Sequence, residues 1–151
     1  MALYRRGIKS IIGNLTLVAD DQALIRCEFK ASRKNDASPL LDLAEKQLQQ
    51  YFAGEIKQFN LPLNPTGTEF QKKCWKYLID IQYGQTVTYK EEAMKISGPN
   101  YTRAVAGANN KNPLPVFIPC HRVIGSDGSL VGYAAGLKVK QTLLEIERKH
   151  L

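Results

Sequence analysis

The chain has 151 residues, 44% of them hydrophobic and 23% charged, with a formal net charge of +7. That composition excludes a disordered chain, no run is apolar for the length a bilayer span needs, and three irregularly spaced cysteines do not make a disulfide framework. The basic excess is uneven: residues 1–65 carry nine basic and seven acidic side chains, residues 66–151 twelve and seven. A polyanion such as DNA suits the second half, although many basic proteins bind nothing acidic. The start, MALYRRGIKS, has no long apolar run behind its basic residues, so a cytoplasmic protein is expected.

Two strands are predicted first, Leu15–Ala19 and Ala23–Phe29, joined by a turn at Asp20-Asp21-Gln22. In the second strand Ala23, Ile25, Cys27 and Phe29 share a face, which makes Cys27 a small buried hydrophobe. Residues 31–38 read as a loop. Ser38 then caps a helix that has Pro39 in its first turn and Leu40, Ala44, Leu48 and Tyr51 as its apolar stripe. Gly54 ends it. Pro62, Pro65 and Gly67 mark a linker over 59–67, between a domain at 1–58 and another at 68–151.

In the second half Thr68 and Gln71 resemble a capping box, followed by Phe70, Cys74, Tyr77, Leu78 and Ile81 at helical spacing. Thr88 and Glu91 repeat the pattern and open a short helix. After Ser97-Gly98-Pro99 a third helix spans about 100–110, with Tyr101, Val105 and Ala108 facing inward. The pair fits a helix-turn-helix, and an ordinary helical pair equally well. Val116–Ile124 reads as extended, Ser126–Ser129 as a turn closing a short winged hairpin, and about 138–149 as a last helix burying Val139, Leu143 and Ile146. The expected fold class is α+β: a small sheet plus helix, then a mostly helical domain.

Residues 118–125, IPCHRVIG, hold the reactive chemistry. A cysteine attacks as its thiolate, so Cys120 needs a cation or a base nearby. His121 follows it, but adjacent side chains on an extended chain point to opposite faces, so a bend or a bridging water is required. A histidine base also wants an orienting group. Glu147, at the border of the last helix's stripe, is a candidate; a plain surface role is the alternative. Zinc is disfavoured, because Cys27, Cys74, Cys120, His121 and His150 have neither CxxC nor HxxxH spacing.

The segment NPLPVFIPCHRVIG (112–125) resembles the active-site signature of the O6-alkylguanine-DNA alkyltransferases, or methylated-DNA–protein-cysteine methyltransferases. The likeness continues through GQTVTYKEEA (84–93), YTRAVAGANNKNP (101–113) and VGYAAGLKVKQTLLEIE (131–147). The N-terminal half matches in layout only.

The resemblance implies that Cys120 takes an alkyl group irreversibly from O6 of guanine, and from O4 of thymine, in double-stranded DNA after the base is flipped out. It makes His121 the base acting through a water, Glu147 its orienting group, Asn112 a brace of the active-site loop and Tyr89 a hydroxyl donor to the base. Arg103 would enter the duplex, with Tyr101, Thr102, Ala104, Gly107 and Arg122 also at the DNA. Backbone groups of Cys120 and Val123 would read the guanine edge, while Tyr133, Ala134 and Ala135 line the pocket. No cofactor, no metal and no membrane are implied, and the protein would be a monomer. The zinc ligands of the animal members are absent, and Ala134 stands where some members have Ser. The small residues Ala104, Ala106, Gly107 and Ala108 suit close approach to a minor groove about 6 Å wide.

The same residues argue against three other classes. A lesion-binding relative would lack the acceptor cysteine, which is present here. A helix-turn-helix regulator wants base-reading side chains, where this helix offers Ala and Gly. A cysteine hydrolase needs an oxyanion hole, for which the sequence has no sign.

Overall fold

The computed structural model describes residues 2–151. They form two compact units, one ending at Thr66 and one running from Gly67 to Leu151.

The first unit is a three-stranded antiparallel sheet, β1 (Tyr4–Ser10), β2 (Gly13–Ala19) and β3 (Leu24–Glu28), in the order β1-β2-β3, with α1 (Pro39–Phe52) packed on it. The β2–β3 hairpin forms where the alternation places it. The register shifts between Val18 and Ala19, so Ala19 faces Leu24. The shift breaks the even alternation: Leu24 and Cys27 are buried in β3, while Ile25 is only half-buried. β1 was not expected. Arg6 sits in it as a buried cation rather than an apolar residue, held by Asp42 and by the Asp36 carbonyl at 2.7 Å. α1 begins as the sequence indicates, with the Ser38 hydroxyl accepting from the Leu41 N–H. Ala44, Leu48 and Tyr51 are fully buried as expected, and at the start of the helix Leu41 takes the buried place expected of Leu40, which is half-buried.

The second unit holds α2 (Glu69–Ile79), β4 (Val87–Thr88), α3 (Tyr89–Ile96), α4 (Thr102–Asn110), β5 (Val123–Ile124) and α5 (Leu137–Lys149). Both capping boxes are present, Thr68 with Gln71 and Thr88 with Glu91, each closing reciprocally. Cys74, Ala93, Ile96, Val105 and Ala108 join α2, α3 and α4 in one core, and the Trp75 indole donates to the Ala108 carbonyl at 2.9 Å. Between α3 and α4, Gly98 takes φ 132°, a conformation that excludes other side chains, and its N–H caps the Ala93 carbonyl at 2.7 Å.

Two expectations are corrected here. Among the described residues no winged hairpin forms: β5 pairs in parallel with β4, Val87 opposite Val123 and Thr88 opposite Ile124. Residues 125–129 only make a turn, with the Gly125 N–H donating to Ser129 O. The segment 116–124 is not extended throughout either, since Cys120–Arg122 form one turn of 3-10 helix. Pro119 cannot donate to a strand ladder, and its carbonyl instead accepts from the Arg122 N–H at 3.0 Å. Among the described residues no helix is long and apolar enough to cross a membrane.

Candidate active site

The loop from Asn112 to Pro119 presents the cysteine. Asn112 holds it from both ends: its Oδ1 accepts from the Leu114 N–H at 2.9 Å and its Nδ2 donates to the Ile118 carbonyl at 2.8 Å. Within the loop Val116 has φ 76°, a strained value for a β-branched residue. The chain then folds into the 3-10 turn, which supplies the bend that an extended Cys120–His121 pair lacked.

Cys120 is 8% exposed. Burial pushes its thiol up to about 11, against the pull of an Asn112 hydrogen bond and the charge of Lys140. The resting sulfur is therefore a protonated thiol, and a base has to act for it to become a nucleophile.

His121, next in the chain, is the candidate. His121 is fully buried, and its Nε2 lies 2.7 Å from Glu147 Oε2. Arg122 binds the same carboxylate twice, Nε to Oε1 at 2.9 Å and Nη2 to Oε2 at 3.0 Å, and its Nη1 donates to Ile81 O at 2.6 Å. The Gly84 N–H adds a donor to Oε1 at 3.0 Å. Burial raises the Glu147 carboxyl, but its bonds to His121 and Arg122 outweigh that and hold it below the usual carboxylate range. For His121 burial dominates in the other direction and lowers its pKa despite Glu147. Arg122 thus supplies Glu147 with a cation, and burial works against a charge on the imidazole. Glu147 is buried, not a surface residue.

This placement corrects one expectation. Arg122 was read as a DNA contact, but it is 7% exposed and engaged with Glu147 and Ile81.

Tyr89 is buried, and its hydroxyl lies 2.9 Å from Val131 O and 3.1 Å from Gly132 O. Burial, then the Cys120 charge, pushes this phenol up to about 12. Lys140 was missed. Its side chain is fully buried, and its Nζ donates to Val131 O at 2.8 Å and Tyr89 Oη at 3.4 Å. Burial lowers its ammonium to about 8, while a Cys120 thiolate would raise it. The sequence did hold a signal: Lys140, Leu143 and Glu147 follow helical spacing on one face of α5, and both charged members are buried there. Tyr133 is buried at the loop that Tyr89 and Lys140 hold, with Ala135 half-buried and Ala134 exposed. The Val123 N–H is used by the Cys120 carbonyl.

The other residues expected at DNA are on or beside α4. Arg103, Ala104 and Gly107 form an exposed face of α4, with open space where Gly107 would carry a Cβ. Tyr101 is 45% exposed, its ring 6.2 Å from that of Phe70, and Thr102 is half-buried with its hydroxyl on Pro99 O at 2.9 Å. Val105 and Ala108 face inward as expected, whereas Tyr101 does not.

Comparison with known proteins agrees with this geometry over both units. Residues 69–149 match the model of the 6-O-methylguanine DNA methyltransferase DNA binding domain, and residues 3–65 that of the ribonuclease-like domain of the same family. The chain is 44% identical, over 99% of each sequence, to a methylated-DNA–protein-cysteine methyltransferase of Methanosarcina barkeri. The structure of Mycobacterium tuberculosis OGT in complex with DNA superposes with a TM-score of 0.89 at 39% identity, covering 97% of this chain and 94% of that one. An O6-methylguanine DNA methyltransferase from Methanococcus jannaschii superposes at 0.71 with 30% identity, over 97% and 95%. The chain belongs to the 6-O-methylguanine DNA methyltransferase family.

Proposed function

We propose that this protein repairs DNA by direct reversal, moving a methyl or other alkyl group from O6 of guanine in a duplex onto Cys120. The observation that carries the reading is a buried thiol next in the chain to a fully buried histidine, with that histidine's Nε2 held 2.7 Å from Glu147.

Because Nε2 is engaged with Glu147, the thiol proton must reach His121 at Nδ1, through a bridging water. The sulfur electron pair then forms the S–C bond as the C–O6 bond breaks, and guanine departs with the two electrons of the broken C–O6 bond. Its developing charge lies towards Tyr89 and Lys140. For Tyr89 to donate to the base, its hydroxyl turns from the carbonyls of Val131 and Gly132. The product is a thioether, which water does not cleave, so each chain reacts once. The site needs no cofactor and no metal.

An O6-alkyl group lies within the duplex, so the nucleotide has to be rotated out at a cost of a few kcal/mol. The small exposed face of α4 suits the minor groove, with Arg103 filling the gap in the stack. Minor-groove contacts of this kind carry little sequence information. Thymine alkylated at O4 offers the same C–O bond and is a second substrate on this reading. The protein would act as a monomer in the compartment that holds the DNA.

Intact-mass spectrometry after incubation with a duplex containing O6-methylguanine tests this. The expected result is a gain of one methyl per chain, mapped to the peptide carrying Cys120. An unchanged mass with binding still measurable would replace it with a lesion-binding function.

A further inference from the structure

Glu92, on α3, is fully buried. Its Oε1 accepts from Asn109 Nδ2 at 2.7 Å. Its Oε2 and the Asn109 Oδ1 are both buried with no hydrogen-bond partner. An ionised carboxyl would leave two acceptors without a donor, whereas a neutral carboxyl carries its own proton. Among the described residues no cation pairs with it. Burial raises this carboxyl to about 7, with Asn109 pulling the other way.

Its neighbours along the chain are parts of the site. Tyr89 lies one turn earlier on α3. Asn109 lies in the last turn of α4, and its carbonyl accepts from the Asn112 N–H at 3.2 Å. The Glu92–Asn109 bond therefore ties the helix carrying Tyr89 to the helix end from which the Asn112 loop departs.

The titratable groups around Glu92 are Cys74 and Tyr77 on α2, Tyr89 on α3 and Cys120 in the 3-10 turn, and a negative charge on Glu92 raises all four. Glu91, next to it on α3, is exposed and caps Thr88. α4 turns the neutral Asn109 towards it. Lys140 of α5 faces Tyr89 and Cys120, and its charge eases the thiol's ionisation until it deprotonates at about 8.

We propose that Glu92, joined to Asn109, is a positioning residue for the reaction at Cys120: neutral, it fixes Tyr89 and the Asn112 loop around the sulfur, and ionised, it holds the reaction back. This rests on Cys120 being the acceptor. The physical reason is twofold. A carboxylate loses the proton it could offer as a donor and leaves its own Oε2 charged, buried and without a partner, and it adds negative charge beside a thiol that must itself become negative.

The test is the single-turnover rate of methyl transfer at saturating methylated duplex for wild type, Glu92→Gln and Glu92→Leu, between about pH 6 and pH 8.5. Gln is always neutral, keeps the acceptor for Asn109 Nδ2 and offers a donor to Asn109 Oδ1. At the acid end Gln should match wild type. The Gln-to-wild-type ratio should climb through neutrality to about threefold or more at the alkaline end, since a shift of one pKa unit in the thiol is worth up to tenfold. Wild type should also lose stability relative to Gln as pH rises from the ordinary carboxyl value of 4.5 to about 7, because the folded state holds the proton longer. Leu offers no hydrogen bond and should be slower than Gln at every pH with DNA affinity unchanged.

A ratio that stays flat with pH, or a folded Leu variant as fast as Gln, overturns the proposal. If Leu does not fold, the Gln profile alone decides. Absence of any methyl on wild-type Cys120 would instead overturn the acceptor assignment, a result distinct from a flat ratio.

Discussion

Replacing Cys120 with Ala should abolish methyl transfer while leaving DNA binding intact. Cys27 and Cys74 cannot substitute, because both are buried and burial pushes each thiol up to about 12. Cys120 is also buried, yet it has Asn112 and Lys140 to draw its thiol down. Neither aid is present at Cys27, which feels only burial and the negative Glu28. Binding should survive because the exposed face of α4 (Arg103, Ala104 and Gly107) does not include the sulfur. The measurement is intact mass and duplex affinity on one preparation. Residual alkylation at Cys27 or Cys74 would mean that the environment of Cys120 is not what makes it reactive.

Replacing Glu147 with Gln should damage both stability and chemistry, and the two effects can be separated. The carboxylate is 1% exposed and carries bonds from His121, Arg122 and the Gly84 N–H. Removing its charge leaves the buried Arg122 guanidinium without a counterion, which typically costs about 3–5 kcal/mol. Urea unfolding should show that loss near neutral pH. The pH dependence follows from the lowered carboxyl. The stability Glu147 contributes is fully present above its ordinary value of 4.5 and is lost as pH falls further towards its folded value. Gln should not show that acid-side loss. Adding Arg122→Met should recover much of the stability, because the unpaired charge is gone. It should not recover the transfer rate, because His121 still lacks its orienting carboxylate. Recovery of both would reduce Glu147 to a purely structural role.

The parts of the fold legible in the sequence are those fixed by local chemistry. Ser38, Thr68 and Thr88 announce helix starts because a cap is satisfied by residues two or three positions away. β1 was illegible because a buried Arg6, whose partners Asp36 and Asp42 lie some thirty residues on, breaks its apolar pattern. The bulge at Val18/Ala19 and the parallel β4–β5 pair are equally long-range decisions. Of the reactive cluster, PCHRV points to Cys120 and His121, the border of the last helix's stripe to Glu147, and the likeness to the family to Asn112 and Tyr89. Arg122 and Lys140 were misread or missed because a charged side chain is presumed exposed until its partner is seen. Both partners, Glu147 for Arg122 and Val131 for Lys140, come from other elements. Glu92 went unremarked for the same reason, with Asn109 on the next helix.

Trp75 is the chain's one tryptophan, and it belongs to the second unit, 1% exposed, with its indole N–H on the carbonyl of Ala108 near the end of α4. Its near-ultraviolet emission is therefore a built-in optical reporter for the unit that holds the cysteine, silent about the sheet unit, whose aromatic side chains are tyrosines and phenylalanines. An engagement of α4 with a duplex that disturbs Ala108 would register as a change in emission wavelength or intensity. Melting of the two units could be followed separately, by tryptophan emission for one and by backbone circular dichroism for the sum of both.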